Sequence, residues 1–346
     1  MGVAIGDIIA PYNRKHNLDF FRFKTLVVDG QNILYQFLSS IRQRDGTPLM
    51  DSKGRITSHL SGILYRNSNI VENDTKLIYV FDGKPIELKH RTLDERSTRK
   101  RKAEIEWAKA IKEGDLAKAK SKASQTSRVT REMIEDSKQL LDALGIPVVQ
   151  APREGEAQAS YMVQKNVGFA CVSQDYDSLL FGAPNLARNI AITGRKKLPY
   201  RNEYVEISPE TIELSGALEG LGITREELVD IGILIGTDFN DGVSGYGPKK
   251  ALTAIKEKKI DLKTGMGIGT GIEKEKEMRR GIENCEELRN IFLNPEVTDD
   301  FEIEWKEPNT QKVFKILCDE HDFSEERVKK ALEKFKPKKQ TMLDLF

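Results

Sequence analysis

Histidine and cysteine are scarce in this chain of 346 residues, which has four of the first and three of the second. Cys171, Cys285 and Cys318 stand far apart and share no metal-ligand spacing, so a thiolate-built zinc site is excluded. With no signal peptide at the start, unpaired cysteines of this kind point to a reducing cytosolic or nuclear compartment. No apolar run approaches the roughly 18 residues that a membrane span needs. Position 6 is Gly6, so the Ser or Thr that completes a myristoylation signal is missing. A Walker A sequence is also missing, which argues against an NTPase. The first strand is followed by Asp29-Gly30-Gln31. That is not the Asp-x-Asp of a phosphatase with an aspartate nucleophile.

Charge of one sign is not in excess either, since the net charge is +1. The balance hides an uneven distribution. Lys84 to Ile134 holds 15 Lys and Arg against 8 Asp and Glu, a net +7, so the rest of the chain carries −6. A basic segment on an acidic body is the pattern that a nucleic-acid partner would use. A solvated helical hairpin with no partner is the other reading of the same segment.

Four short apolar runs read as strands: Leu26 to Val28, Leu77 to Phe81, Gly145 to Val149 and Phe169 to Val172. Helical patterns separate them, including Asn32 to Gln43 and Val129 to Leu144. Strands alternating with helices predict an α/β fold with a parallel sheet, whose ligands bind beyond the carboxyl ends of the strands. Pro85 to Ser127 breaks the alternation and reads as a helical insertion with a turn at Gly114-Asp115. From Glu227 onward the pattern is all helical. The run Gly265 to Gly271 follows no predicted strand, so it reads as a loop rather than a dinucleotide fingerprint.

Seven carboxylates lie at or near these strand ends and in one later loop: Asp29, Asp82, Glu154, Glu156, Asp175, Asp177 and Asp238. Each has a plain structural reading. Asp29 and Asp82 suit helix N-caps, Glu154 and Glu156 suit a helix first turn, Asp177 suits a cap, and Asp238 suits a loop. Jointly they suggest something else. Gathered acids repel, so they need cations, and an all-oxygen donor set selects Mg²⁺ or Mn²⁺ over Zn²⁺. Seven acids suit two ions about 4 Å apart, which would clamp the attacking and leaving oxygens of a phosphodiester. Further on, Gly245-Tyr246-Gly247-Pro248-Lys249-Lys250 is a glycine-rich turn opening a helix. Its backbone N–H groups suit a phosphate and its lysines add charge, as in a helix-hairpin-helix grip on a DNA backbone.

Taken in order, LVVDG, YVFDGKP, PREGEAQA, SQDYDSLLFG and IGTDFNDGVSGYGPKKA resemble the flap endonuclease group of structure-specific 5′ nucleases, above all its archaeal members. The match runs from Gly2 to about residue 332. The resemblance implies a twisted, mostly parallel sheet between helices, with a helical arch over the site. It implies Mg²⁺-dependent hydrolysis of one phosphodiester near the base of a 5′ flap, leaving a 5′ phosphate and a 3′ hydroxyl, with 5′-3′ exonuclease activity besides. Such work belongs to Okazaki fragment maturation and repair. It implies that the seven acids are metal ligands, with Asp175 also essential to catalysis, and that Lys89 and Arg96 at the arch base stabilise phosphate charge. DNA-contacting positions would be Gly2, Tyr35, Arg42, Thr57 and Arg66, together with Gly245, Gly247, Lys249 and Lys250. Without the family, Tyr35 reads as half-buried core. The turn over Gly242 to Gly247 would be able to hold K⁺ through backbone carbonyls.

The C-terminal Gln340, Leu343 and Phe346 resemble the family's sliding-clamp peptide, although its second terminal aromatic is missing. The implied organisation is a single nuclease domain over 1–332. It comprises an N-terminal region 1–83, an arch insertion 84–128 and an internal region 129–332 that includes the helix-hairpin-helix-like element 227–257. A tail over 333–346 follows. The chain would act as a monomer on branched DNA, in the cytoplasm with the nucleoid if archaeal and in the nucleus if eukaryotic. Two other readings stand beside this one: a clamp-bound DNA-binding scaffold without turnover, and a resection-type 5′ exonuclease relative.

Overall fold

The computed structural model describes all residues except 1, 87, 89, 192–193, 198–203, 262–265, 268–283 and 337–346. Nine of its strands are β1 (Arg14–Lys15), β2 (Thr25–Asp29), β3 (Lys76–Phe81), β4 (Val148–Gln150), β5 (Ala170–Val172), β6 (Asn185–Arg188), β7 (Gly194–Lys197), β8 (Tyr204–Ile207) and β9 (Glu210–Glu213). Seven form one sheet in the order β1-β9-β6-β5-β2-β3-β4, while β7 and β8 pair as a separate hairpin. The central five strands are parallel, and β9 runs antiparallel to β6 and β1. The sheet is therefore mostly parallel, as expected, with an antiparallel edge that the apolar runs did not show.

Alternation along each strand builds the layers. Leu26, Val28, Leu77 and Tyr79 face one core, shared with helices Gly30–Ser40, Ser58–Val71 and Arg131–Ala143. Val27, Ile78 and Val80 face the other, shared with helix Gly155–Gln164 and with Phe301, Ile303 and Trp305. The indole of Trp305 donates to the Leu77 carbonyl at 2.9 Å and ties the late segment to the sheet. The chain lays β3 and β4 on one side of β2, then crosses to lay β5 on the other. That reversal opens a crevice beyond the carboxyl ends of β2 and β5, where a parallel sheet binds its ligands.

The basic insertion is a pair of helices, His90–Lys112 and Leu116–Ala123, packed on each other. Gly114 turns between them at φ +71°, and Asp115 caps the second by accepting from the Lys118 N–H at 3.0 Å. A third cluster gathers Ile5, Ile9, Leu228, Ile231, Ile233 and Phe292 around helix Arg225–Ile235 and the helices that follow it, Pro248–Lys256 and Cys285–Leu293. Two expectations need correction. The segment after Glu227 is not wholly helical, because Ile260–Asp261 pairs with Met266–Gly267. The helix from Asn32 stops at Ser40 rather than Gln43, because Arg42 bridges to Pro48 and turns the chain.

Candidate active site

Local sequence sets each carboxylate in place before the fold brings them together. Asp29 is the last residue of β2 and the N-cap of the next helix, accepting from the Asn32 N–H at 3.1 Å. Asp82 follows β3, and its Oδ1 accepts from the Gly155 N–H at 2.6 Å. Glu154 and Glu156 flank that same glycine at the start of helix Gly155–Gln164. A Cβ on Gly155 would fall 2.8 Å from the Asp82 oxygen, which explains why glycine stands between two glutamates. Asp175 and Asp177 follow β5, and Asp238 lies in the loop after helix Arg225–Ile235.

These groups feel one another. Glu156 is half-buried, and its pKa rises well above the ordinary glutamate value. Burial is the largest cause, followed by the charges of Asp177, Asp29 and Asp175. Asp177 is pushed up to about 7 by burial, then by Asp238 and Asp175. The capping role and the clustering role of Asp29 therefore coexist. Among the described residues no three carboxylates, imidazoles or thiols stand ready-made to hold one ion. The carboxylates are turned onto N–H donors instead: Glu156 Oε1 on Ser178 at 2.9 Å, Asp177 Oδ1 on Val3 at 2.6 Å, and Asp175 Oδ2 on the Asn32 amide at 2.9 Å. The donor set is oxygen-only, acidic and partly buried, and so it fits hard divalent cations. A divalent charge among them would relieve the repulsion that holds Glu156 and Asp177 towards their protonated forms.

Two residues at the site had no place in the sequence reading. Asn32 accepts from the Gln174 N–H at 2.9 Å while its amide donates to Asp175, and so it locks the loop after β5 to the end of β2. Its position three after Asp29, on the same helix face, was the available signal. Arg188 donates to the hydroxyl of Tyr176, the residue between Asp175 and Asp177, and lies 4.2 Å from that ring. The chain start was flagged, and its fit is close. A Cβ on Gly2 would meet both Asp177 carboxylate oxygens at 2.6 Å.

The expected DNA contacts divide. Tyr35 is 37% exposed, with the Lys100 ammonium 5.4 Å from its ring, so it is not core. Gly245, Gly247, Lys249 and Lys250 are all exposed at the start of helix Pro248–Lys256, with Gly245 at φ +79° and the Lys250 ammonium 3.0 Å from its carbonyl. Thr57 is buried, and Arg66 is half-buried. Arg42 is turned inward onto protein acceptors. Lys89, Gln340, Leu343 and Phe346 lie outside the described residues, and for Arg96 only its place on helix His90–Lys112 is described. Beside Glu154 and the entry to the arch is a cavity of about 370 Å³, whose lining includes Ile86, Leu88, Arg153, Phe181 and Ile291.

Known proteins resemble this chain over nearly its whole length. Residues 1–103 match the XPG N-terminal domain and residues 145–238 the XPG I-region. The chain is 51% identical to flap endonuclease 1 of Thermococcus onnurineus, over 97% of this chain and 95% of that protein. It is also 51% identical to flap endonuclease 1 of Archaeoglobus fulgidus, over 100% and 99%. Among solved structures, flap endonuclease-1 from Methanococcus jannaschii superposes with a TM-score of 0.74 at 40% identity, covering 96% of this chain and 98% of that one. The catalytic core of Rad2 in complex with DNA substrate shares the fold at a TM-score of 0.67 and 22% identity, over 96% and 99%.

Proposed function

We propose, since this chain belongs to the flap endonuclease family of structure-specific 5′ nucleases, that Asp29, Asp82, Glu154, Glu156, Asp175, Asp177 and Asp238 form its metal-dependent cutting site. The enzyme hydrolyses a DNA phosphodiester at a 5′ flap, work that belongs to replication and repair. Its family is divalent-metal dependent. The finer reading is two Mg²⁺ ions, with Mn²⁺ able to substitute and K⁺ held in the turn over 242–247. The observation that carries it is the convergence of the acids: Asp82 accepts from Gly155 between Glu154 and Glu156, Glu156 accepts from Ser178 beside Asp177, and Asp175 accepts from Asn32 of the helix that Asp29 caps.

When bound, the ions would supply a nucleophilic water and neutralise charge on the phosphoryl oxygens. The chain's own residues do the rest. Asn32 fixes the Asp175 carboxylate against the end of β2. The Val3 N–H aims Asp177, and the Gly155 N–H aims Asp82. Exposed Lys249 and Lys250, at a helix N-terminus, suit the phosphates of the duplex and carry no base information. Tyr35, standing open beneath the arch beside Lys100, offers a ring on which a base can stack. Lys89 and Arg96 would add positive charge at the arch base and stabilise the charge on the scissile phosphate as the flap's 3′ oxygen leaves. The nuclease body is assigned to 1–332, acting as a monomer, and the tail with Gln340, Leu343 and Phe346 to a sliding clamp.

Asp175→Ala tests the assignment. We expect cleavage of a double-flap DNA with Mg²⁺ to fall below detection while binding of the same DNA changes little. Retained Mg²⁺-dependent cleavage by a pure sample of the variant would remove Asp175 from the site.

A further inference from the structure

One arginine among the expected DNA contacts is spent on the protein itself. Arg42 follows helix Gly30–Ser40, and its guanidinium spans three acceptors on three parts of the chain. Nε donates to the Leu38 carbonyl at 2.8 Å, Nη1 to the Gly46 carbonyl at 2.7 Å and Nη2 to Ser127 Oγ at 2.9 Å. Ser127 is buried and stands where the arch returns to the body. The loop that Arg42 braces also carries the arch helices. The Trp107 indole, from the first of them, donates to the Asp45 carbonyl at 3.2 Å. Asp45 stiffens the loop by accepting from the N–H and hydroxyl of Thr47, both at 2.9 Å. Gly46 sits at φ +90°, and a Cβ there would fall 2.6 Å from the Cβ of Ala123 on the second arch helix. Ala110, Ala119 and Ala123 are fully buried, so small residues let the two helices and the loop close on one another.

We propose that Arg42 is a positioning residue that seats the arch on the loop 43–47, and not a contact to DNA phosphate. The seat reaches the site through one rigid element. The helix whose Leu38 carbonyl takes the Arg42 Nε begins at Asp29, holds Asp175 through Asn32 and presents Tyr35 to Lys100 of the arch. Seating the arch therefore fixes the distance between the basic helices and the acids below them. Lysine cannot replace Arg42, because a single ammonium has no planar fork to bridge three acceptors set apart in this way.

The proposal rests on the nuclease reading for its kinetic arm alone. Full-length protein labelled with fluorotryptophan gives two ¹⁹F resonances, one from Trp107 and one from Trp305, assigned with Trp107→Phe. In Arg42→Ala and Arg42→Lys, without DNA, the Trp107 resonance is expected to move and the Trp305 resonance to stay. Single-turnover cleavage of a double-flap DNA should fall by about 10- to 100-fold in both variants, the usual cost of misplacement near a reacting centre. The slope of log Kd against log salt should not change, because no phosphate contact is lost. A slope lower by about one in Arg42→Ala, restored in Arg42→Lys, with Trp107 unmoved, would make Arg42 a DNA contact and overturn the proposal. If Trp305 moves as well and Arg42→Ala is misfolded, Ser127→Ala decides, since of the three Arg42 acceptors it removes only the arch-side one, together with the local bond from Ser127 Oγ to the Ser124 carbonyl. It should shift Trp107 alone and slow cleavage, and an unmoved Trp107 there overturns the seat. The resonance arm needs neither metal nor substrate. A wild-type protein that failed to cut flaps would therefore overturn the nuclease reading and leave the seat standing.

Discussion

A side chain at position 2 has nowhere to go. Its first carbon would lie 2.6 Å from both oxygens of Asp177, while the next residue's N–H holds one of those oxygens at 2.6 Å. Gly2→Ala should therefore displace a proposed metal ligand without disturbing the core. We expect at least about a tenfold fall in turnover on flap DNA, with the thermal midpoint moved by no more than about 2 °C. A loss of stability as large as the loss of rate would mean that Gly2 serves the fold instead. At this scale the acids were legible from sequence because residue type and strand-end position point the same way. Asn32 was not, because an asparagine in a first helical turn is ordinary until its partner is known.

At the scale of elements, the turn and helix over Gly245 to Lys256 are separable from the chemistry. Lys249 is exposed, and Lys250 leans over the Tyr246 ring at 4.4 Å and onto the Gly245 carbonyl. Lys249→Ala should weaken duplex binding uniformly across sequences and lower the salt slope by about one, as measured by fluorescence anisotropy between 50 and 200 mM salt. Turnover at saturating DNA should stay within about twofold of wild type. A sequence-dependent loss, or none, would take the lysine out of the phosphate grip. The helix beside it is capped at Thr224, whose hydroxyl accepts from the Glu227 N–H while Glu227 accepts from the Thr224 N–H. The same helix is tied to helix Cys285–Leu293 by the buried Arg289–Asp230 pair. The arch hairpin was readable, since Gly114 and Asp115 mark its turn in the sequence. The strands β6 and β9 were not. They are four residues each, Asn185–Arg188 and Glu210–Glu213, and charged or polar residues at their ends leave no apolar run to mark them.

Across the whole molecule, a buried histidine joins the front of the chain to its end. His59, from helix Ser58–Val71, is 1% exposed, and neither ring nitrogen has a hydrogen-bond partner among the described residues. Burial, then the neighbouring His321, lowers its pKa to about 4. His321 in turn meets Asp51 at 3.3 Å, and Asp322 accepts from the Ser52 N–H at 2.6 Å. A base with a depressed native pKa stabilises the fold fully above its unfolded value of about 6.5 and loses that contribution as pH falls towards 4. The shift corresponds to about 3 kcal/mol. Urea unfolding of the wild type and of His59→Gln should therefore diverge with pH: over the range from 6.5 to 4 the wild type should lose about that much more stability than the variant. Parallel curves would show that His59 does not titrate on unfolding.

The sequence by itself determined the chemistry. Seven carboxylates in family order, a basic insertion and a glycine-rich turn point to hard-metal phosphate work, because residue type and short-range spacing are written directly in the chain. Only the tertiary structure decided which groups meet. Val3 and Asp177 are 174 positions apart, Asn32 and Asp175 are 143 apart, and Arg42 and Ser127 are 85 apart. Helix and strand periodicity governs neighbours a few residues away. Which distant loop supplies a donor follows instead from the order in which β5, β2 and β3 pack. That order placed Asp29 and Asp175 on neighbouring strand ends, and the turn after helix Gly30–Ser40 pointed Arg42 at the arch.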